Sequence, residues 1–400
     1  MINEKMYELG SKSSSIRELF EYGKKRKLEI GEENVFDYSL GNPSVPAPSI
    51  VNETLIELIN NVNSTILHGY TSAQGDLKVR EKIVDYLNKE YNTNLTSDLV
   101  YLTVGAAASL TSTLNAIINP NNEVICFAPF FPEYKVFIEK AGGILKIVKC
   151  IEPTFEIDYD QLEKVINKNT KAIIINSPNN PTGKVIKEEE LKKIVEIIIK
   201  KNQEYNNSIF LISDEPYREL VYDDIKIPFV TNYYDNTIIC YSFSKSLSLP
   251  GERIGYVIVN PNCIEAQKVY KAIAGAARSL GYVCAPSLFQ FMISKCLGYT
   301  SDLNCYKENR DILYNELTKL GYTITKPEGA FYLFVKSFDD NANKFVEVAK
   351  KFELLLVPSD SFGFPGYVRI AYCVSRKQII DSLPAFEKLS KYYKESIWVN

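Results

Sequence analysis

Lys171-Ala172-Ile173-Ile174-Ile175-Asn176-Ser177-Pro178-Asn179-Asn180-Pro181-Thr182-Gly183 begins as an apolar run and breaks at once into turn residues. Leu191, Ile194, Val195 and Ile198 then recur at helical spacing, and Ile209 to Ser213 is a second apolar run, ending at Asp214-Glu215-Pro216-Tyr217. Strand, helix and strand follow one another, and the strands show no polar alternation. That pattern predicts parallel strands covered by helices on both faces.

The same succession extends in both directions. Upstream, Val79, Ile83, Tyr86 and Leu87 mark a helix, Leu99 to Val104 a strand, Leu110, Leu114, Ile117 and Ile118 a helix, and Glu123 to Phe127 and Ile144 to Val148 two strands. Downstream, Thr237 to Tyr241 and Tyr256 to Val259 are further Ile- and Val-rich strands. The fold class is therefore α/β, with a mainly parallel sheet flanked by helices. Beyond about residue 300 the signals become a long helix, short strands at Ala330 to Phe334 and Tyr367 to Ala371, and a final helix. These predict a smaller α+β domain. At the start, Ser15-Ile16-Arg17-Glu18 has capping-box spacing, and Ile16, Leu19 and Phe20 share a helical face. Gly41-Asn42-Pro43 is a turn-rich break. The expected division is a large domain over 45–295 and a small one built from 1–44 with 296–400.

A chain of 400 residues has room for two hydrophobic cores. Lys and Arg number 46 against 49 Asp and Glu, with the signs interspersed, so nothing predicts a nucleic-acid surface. The densest basic run, Lys24 to Lys27, reads as a solvated helix end. Eight cysteines lie without CxxC spacing, several in apolar runs, and read as reduced core residues. The N-terminal stretch lacks the apolar core of a targeting segment, and no run approaches the length of a membrane span, so a cytoplasmic location is expected. A single histidine, His68, argues against a His-rich metal site and against Ser/His or Cys/His catalysis; no metal is expected.

Proton transfer must then fall to other groups. Tyr241-Ser242-Phe243-Ser244-Lys245-Ser246 follows a predicted strand, and Arg253 comes eight residues after Lys245. Ligands of open α/β sheets lie outside the carboxyl ends of the strands, where this lysine would sit. A partly desolvated lysine near other cations has a lowered pKa and can form an imine. Ser242, Ser244 and Arg253 could then hold an anionic group of the same ligand. Taken singly, an SxSK segment is more often a polar surface loop. Three further segments end predicted strands: the Asn-Pro turn at 176–183, Asp214 with Tyr217 three residues on, and Thr103-Val104-Gly105-Ala106-Ala107, where a strand passes through glycine into a helix whose free N–H groups suit a phosphate.

Together these segments resemble the class I and II aminotransferases of the fold type I pyridoxal 5'-phosphate (PLP) enzymes, nearest to the aspartate aminotransferase group, from about Gly41 to Arg369. The resemblance rests on NNPTG (179–183), DEPY (214–217), SFSK (242–245) with Arg253, and RIAY (369–372). It implies that Lys245 carries PLP as a Schiff base and moves the proton. Asp214 matches the partner of the ring nitrogen, and Asn180 and Tyr217 match groups bonded to the ring's 3'-oxygen. Ala106 and Ala107 with Ser242, Ser244 and Arg253 match the phosphate cradle, and Phe131 the ring stacked on the cofactor. Arg369, Gly41 and Asn180 match the groups that take the substrate α-carboxylate. Tyr70 matches a tyrosine that reaches the neighbouring subunit's site, implying a homodimer.

The implied activity is transfer of an amino group from an L-amino acid to a 2-oxo acid. The family's acidic-substrate enzymes carry an extra cation; here Gly105-Ala106-Ala107-Ala108 supplies none and Arg278 is the one nearby candidate, so aspartate and aromatic donors both stay open. Two alternatives share these residues: a PLP-dependent C–S lyase or synthase, and a non-catalytic PLP-binding module. His68 is read as structural.

Overall fold

The computed structural model describes residues 2–11 and 15–397. A helix does span Ser15–Ile30. The side chain of Ser15, and with it the capping box expected there, lies outside the described residues.

The chain forms two compact units, one of Val45–Asn179 with Lys184–Leu303, the other of Met1–Ser44, Asn180–Gly183 and Asn304–Asn400. The first holds a seven-stranded sheet in the order Val100–Thr103, Gly255–Val259, Thr237–Ser242, Phe210–Asp214, Thr170–Asn176, Glu123–Ala128, Ile144–Lys149. The pairs among the last five strands of that order are parallel, and Gly255–Val259 is antiparallel to both of its neighbours. The mainly parallel sheet read from the apolar runs is present. Its one reversed strand has the same Val- and Ile-rich composition as the rest, so composition could not reveal its direction. Ile144–Lys149 is an edge strand with mostly exposed or half-exposed side chains, so it is less buried than an apolar run suggests.

The helix Glu188–Tyr205 shows why these residues cover the sheet. Three glutamates open it, the Lys187 N–H donates to Glu190 Oε2 at 2.9 Å, and Asn206 ends it in the left-handed conformation. Leu191, Ile194, Val195 and Ile198 form one buried stripe against Ile125, Ile173, Ile175 and Leu211 of three strands. Each such burial contributes roughly 1.5–3 kcal/mol. Truncating Ile194 to alanine would leave a cavity costing about 2–5 kcal/mol.

In the second unit, Tyr332–Lys336, Tyr367–Ala371 and Val357–Pro358 form a three-stranded antiparallel sheet with Tyr367–Ala371 in the centre. Phe36–Asp37 pairs in parallel with Leu354–Leu355, a match too short to read from sequence. Tyr38, Phe331, Phe334, Phe345, Phe362 and Phe386 are fully buried in this unit. The helices Leu303–Lys319 and Arg376–Ile397 are those expected after residue 300.

Of the eight cysteines, five are buried and three half-buried. Among the described residues no group of His, Cys, Asp or Glu could hold a metal ion, and no helix is long and apolar enough to cross a membrane.

Candidate functional site

The chemistry-bearing residues fall into two sets, one in each unit. In the first unit the sheet register places Asn176 beside Asp214, and Asp214 beside Cys240. Side chains alternate along a strand, so Asn176, Asp214 and Ser242 project on one face at the carboxyl edge. The Asn176 side chain donates to the Asp214 backbone carbonyl at 2.9 Å, tying the two strand ends together. Thr103 and Ser242 both pair with Gly255, so the turn at Gly105 emerges at the same edge.

Asp214 is 4 % exposed. Its Oδ2 accepts a hydrogen bond from the Tyr134 hydroxyl at 2.5 Å, whereas its Oδ1 has no partner among the described residues. Burial pushes the carboxyl up to about 7 from an ordinary value of 3.8, and the Tyr134 bond pulls against that rise. A buried carboxylate oxygen with nothing bonded to it is costly, and a protonated ring nitrogen of a ligand would satisfy it.

Lys245 lies in the short helix Phe243–Ser246 directly beyond the strand, half-buried. Ser242 caps this helix by accepting from the Ser244 N–H at 3.1 Å, and the two serine hydroxyls are 2.6 Å apart. Tyr217 is buried three residues after Asp214. Arg253 adopts a left-handed backbone and its Nη1 donates to the Pro250 carbonyl at 3.0 Å. Gly105 has φ 91°, and a Cβ there would come within 2.8 Å of Arg253 Nη2. Glycine is thus required for the turn and for the close approach of the guanidinium. The first helical residues after it, Ala106 and Ala107, offer N–H groups without intrahelical acceptors, beside that cation. Hydroxyls, free N–H groups and an arginine make a cradle suited to a phosphate dianion. Phe131 is half-buried and meets Tyr134 edge to face, 5.6 Å between ring centroids.

In the second unit, Arg369 is 2 % exposed on the central strand of the small sheet. Its Nη1 donates to Asn180 Oδ1 at 3.1 Å and its Nη2 to the Ser39 carbonyl at 2.6 Å; Nε has no partner among the described residues. Its guanidinium stacks on Tyr332 at 4.6 Å and on Phe362 at 5.3 Å. Asn180 is held there because the Glu328 and Gly329 N–H groups each donate to the Gly183 carbonyl at 2.9 Å. A Cβ at Gly41 would collide with the Tyr332 hydroxyl, so only glycine fits beside that ring. A buried guanidinium with one N–H unserved, beside a neutral amide, suits a carboxylate.

Three residues singled out in the sequence stand apart from these sets. Tyr70 is 98 % exposed. Arg278 is exposed in the last turn of the helix Ala266–Ser279, and His68 is exposed at the end of Ser64–Leu67. Sequence reasoning overlooked Tyr134 and the side chain of Asn176. Tyr134 lies four residues before Ile138 on the helix Glu133–Lys140 and so reads as one more core position. Its one legible signal is a hydroxyl on an otherwise apolar helix face, three residues after Phe131.

Residues 33–383 match the family model described as aminotransferase class I and II. The chain is 31 % identical to an aspartate aminotransferase of Thermotoga maritima over 360 residues, 89 % of this chain and 91 % of the other. It is 30 % identical to a probable aspartate/prephenate aminotransferase of Aquifex aeolicus, covering 91 % and 93 % of the two chains. A crystal structure of an amino transferase from Eubacterium rectale superposes with a TM-score of 0.96 at 56 % identity, over 98 % of this chain and 99 % of that one.

Proposed function

Because the chain belongs to the class I and II aminotransferases, and so to PLP-dependent enzymes that act on amino acids and 2-oxo acids, we propose that Lys245 is its catalytic base, that Asp214 is the partner of the cofactor's ring nitrogen and that Arg369 takes the substrate carboxylate. When bound, PLP supplies the electron sink that lets the Cα proton of an amino acid leave. The observation that carries the assignment is the Asp214 carboxylate, buried at the strand ends with Oδ1 unpartnered. In ionised form it would accept the ring N–H and favour the charged nitrogen.

Lys245 Nζ takes the Cα proton and returns it on the other side of the transfer, which one amine can do without a histidine. Tyr217 and Asn180 would hold the cofactor ring's 3'-oxygen by donating to it. Ala106 and Ala107 N–H groups with Ser242, Ser244 and Arg253 would hold the phosphate, and Phe131 would pack against the ring. Arg369, supported by Asn180 and by the Gly41 backbone, receives the substrate α-carboxylate in a two-pronged contact. The protein works as a cytoplasmic homodimer in which Tyr70, almost wholly exposed on one protomer, bonds the phosphate held by its neighbour. Donor choice lies between aspartate and an aromatic amino acid.

The assignment of Lys245 is tested by reducing the PLP-loaded protein with borohydride and mapping peptides by mass. A phosphopyridoxyl group on Lys245 supports it; a label on another lysine removes it.

A further inference from the structure

We propose that Tyr134 is a positioning residue that decides which oxygen of Asp214 is left for the ligand and favours the charged form of the carboxyl. The inference rests on the reading of Asp214 as partner of the ring nitrogen.

Tyr134 comes from the helix Glu133–Lys140 and is 2 % exposed. Its hydroxyl lies 2.5 Å from Asp214 Oδ2. Burial and the nearby Asp214 charge raise its pKa well above the ordinary phenol value, so it keeps its proton and can only donate to the carboxylate. While Tyr134 donates to the charged carboxylate, Oδ2 is occupied and the oxygen left for a ligand is Oδ1, which has no partner among the described residues. A proton taken up on Oδ1 competes with that ligand. Neutral Asp214 would then present an O–H where the ring N–H must be accepted. The Tyr134 bond opposes that form, because a donor to a carboxylate favours its charged state.

The other titratable neighbours leave this pair as the group that responds. Cys240, from the adjacent strand, and Cys126, from Glu123–Ala128, are fully buried thiols whose pKa is raised by burial, so they stay neutral. Glu215 raises the Asp214 pKa by its charge but is paired with Arg218, whose Nε is 2.5 Å from its Oε2. Tyr217 follows on the same segment, and Thr113 Oγ1 meets Cys240 Sγ rather than Asp214. Phe131 touches Tyr134 edge to face. One short stretch therefore supplies both the candidate ring-stacking residue and the group that sets the carboxylate opposite the ring nitrogen.

The test measures PLP dissociation constants by fluorescence between pH 6 and pH 9 for wild type, Tyr134→Phe, Tyr134→His and Asp214→Asn, after thermal unfolding has shown that all are folded. PLP's own titrations are common to every protein and cancel in ratios to wild type. Losing one hydrogen bond to a charged group raises its midpoint by about one to two pH units. Tyr134→Phe should therefore bind about as wild type at pH 9 and about tenfold more weakly at pH 7, with Tyr134→His recovering most of the loss. A ratio independent of pH would mean that the ring only packs, and a profile identical to wild type would mean that the hydroxyl does nothing; either overturns the proposal. If Asp214→Asn retains the wild-type pH profile, the reading of Asp214 fails instead, whatever Tyr134 does.

Discussion

Arg369 Nη1 donates to Asn180 Oδ1 at 3.1 Å across 189 residues of sequence. The bond fixes the plane of a guanidinium that also lies over the Tyr332 and Phe362 rings, at 4.6 Å and 5.3 Å. An arginine oriented from three sides presents its remaining N–H groups in one geometry, whereas lysine at the same place would be a mobile point charge. Arg369→Lys should raise KM for both the amino donor and the 2-oxo acid by roughly 10–100-fold with a smaller effect on kcat. Steady-state kinetics with each substrate varied in turn checks this; unchanged KM values would take Arg369 out of substrate binding.

Lys245→Ala should fold, bind PLP without a covalent link and lose at least about 10⁴-fold in turnover, the scale of an abolished positioned base together with the lost imine. Overnight transamination assays and cofactor retention on a desalting column report the two halves of that expectation.

Gly105 combines φ 91° with contact to the Arg253 guanidinium. Gly105→Ala forces a side chain into a left-handed backbone and displaces the cation, at a cost of about 1–3 kcal/mol. A rise of roughly tenfold or more in the PLP dissociation constant is expected, read by equilibrium dialysis against wild type.

Asp214 has a folded-state pKa near 7 and an ordinary value of 3.8. The folded chain thus keeps a proton that the unfolded chain loses, and the stability due to this group is fully present below pH 3.8 and is lost as pH rises to about 7. In cofactor-free protein the loss amounts to up to about 4 kcal/mol, set by the size of the shift. Denaturant unfolding of wild type and Asp214→Asn between pH 4 and pH 8 should show the difference accruing in that window, with wild type falling relative to the variant; parallel curves would contradict it.

If Tyr70 serves the neighbouring protomer, mixing inactive Lys245→Ala with impaired Tyr70→Ala chains should regenerate activity. One site of each mixed dimer would have both residues, about a quarter of all sites in an equal mixture after exchange. No gain over the separate variants would place Tyr70 outside the site.

The strands were legible because runs such as Ile173-Ile174-Ile175 and Ile238-Ile239 are buried on both faces and end abruptly at turn residues. Asp214, Ser242 and Lys245 could be placed at the sheet edge from that alone. What stayed hidden depends on contacts distant in sequence or on direction. The pairing of Asn180 with Arg369, the reversal of Gly255–Val259, and the two-residue match of Phe36–Asp37 with Leu354–Leu355 have no local signature. Tyr134 was invisible for another reason: its ring satisfies the packing pattern of its helix, and only the structure shows that its hydroxyl ends on Asp214.

The most direct test of the central claim, amino-group transfer through PLP on Lys245, follows the visible spectrum of the loaded enzyme. Glutamate, aspartate, alanine and phenylalanine are added one at a time, each followed by 2-oxoglutarate. The account predicts that at least one donor bleaches the cofactor band and that the 2-oxo acid restores it, with no such cycle in Lys245→Ala; a band that no donor moves, or one that bleaches and never returns, would contradict it.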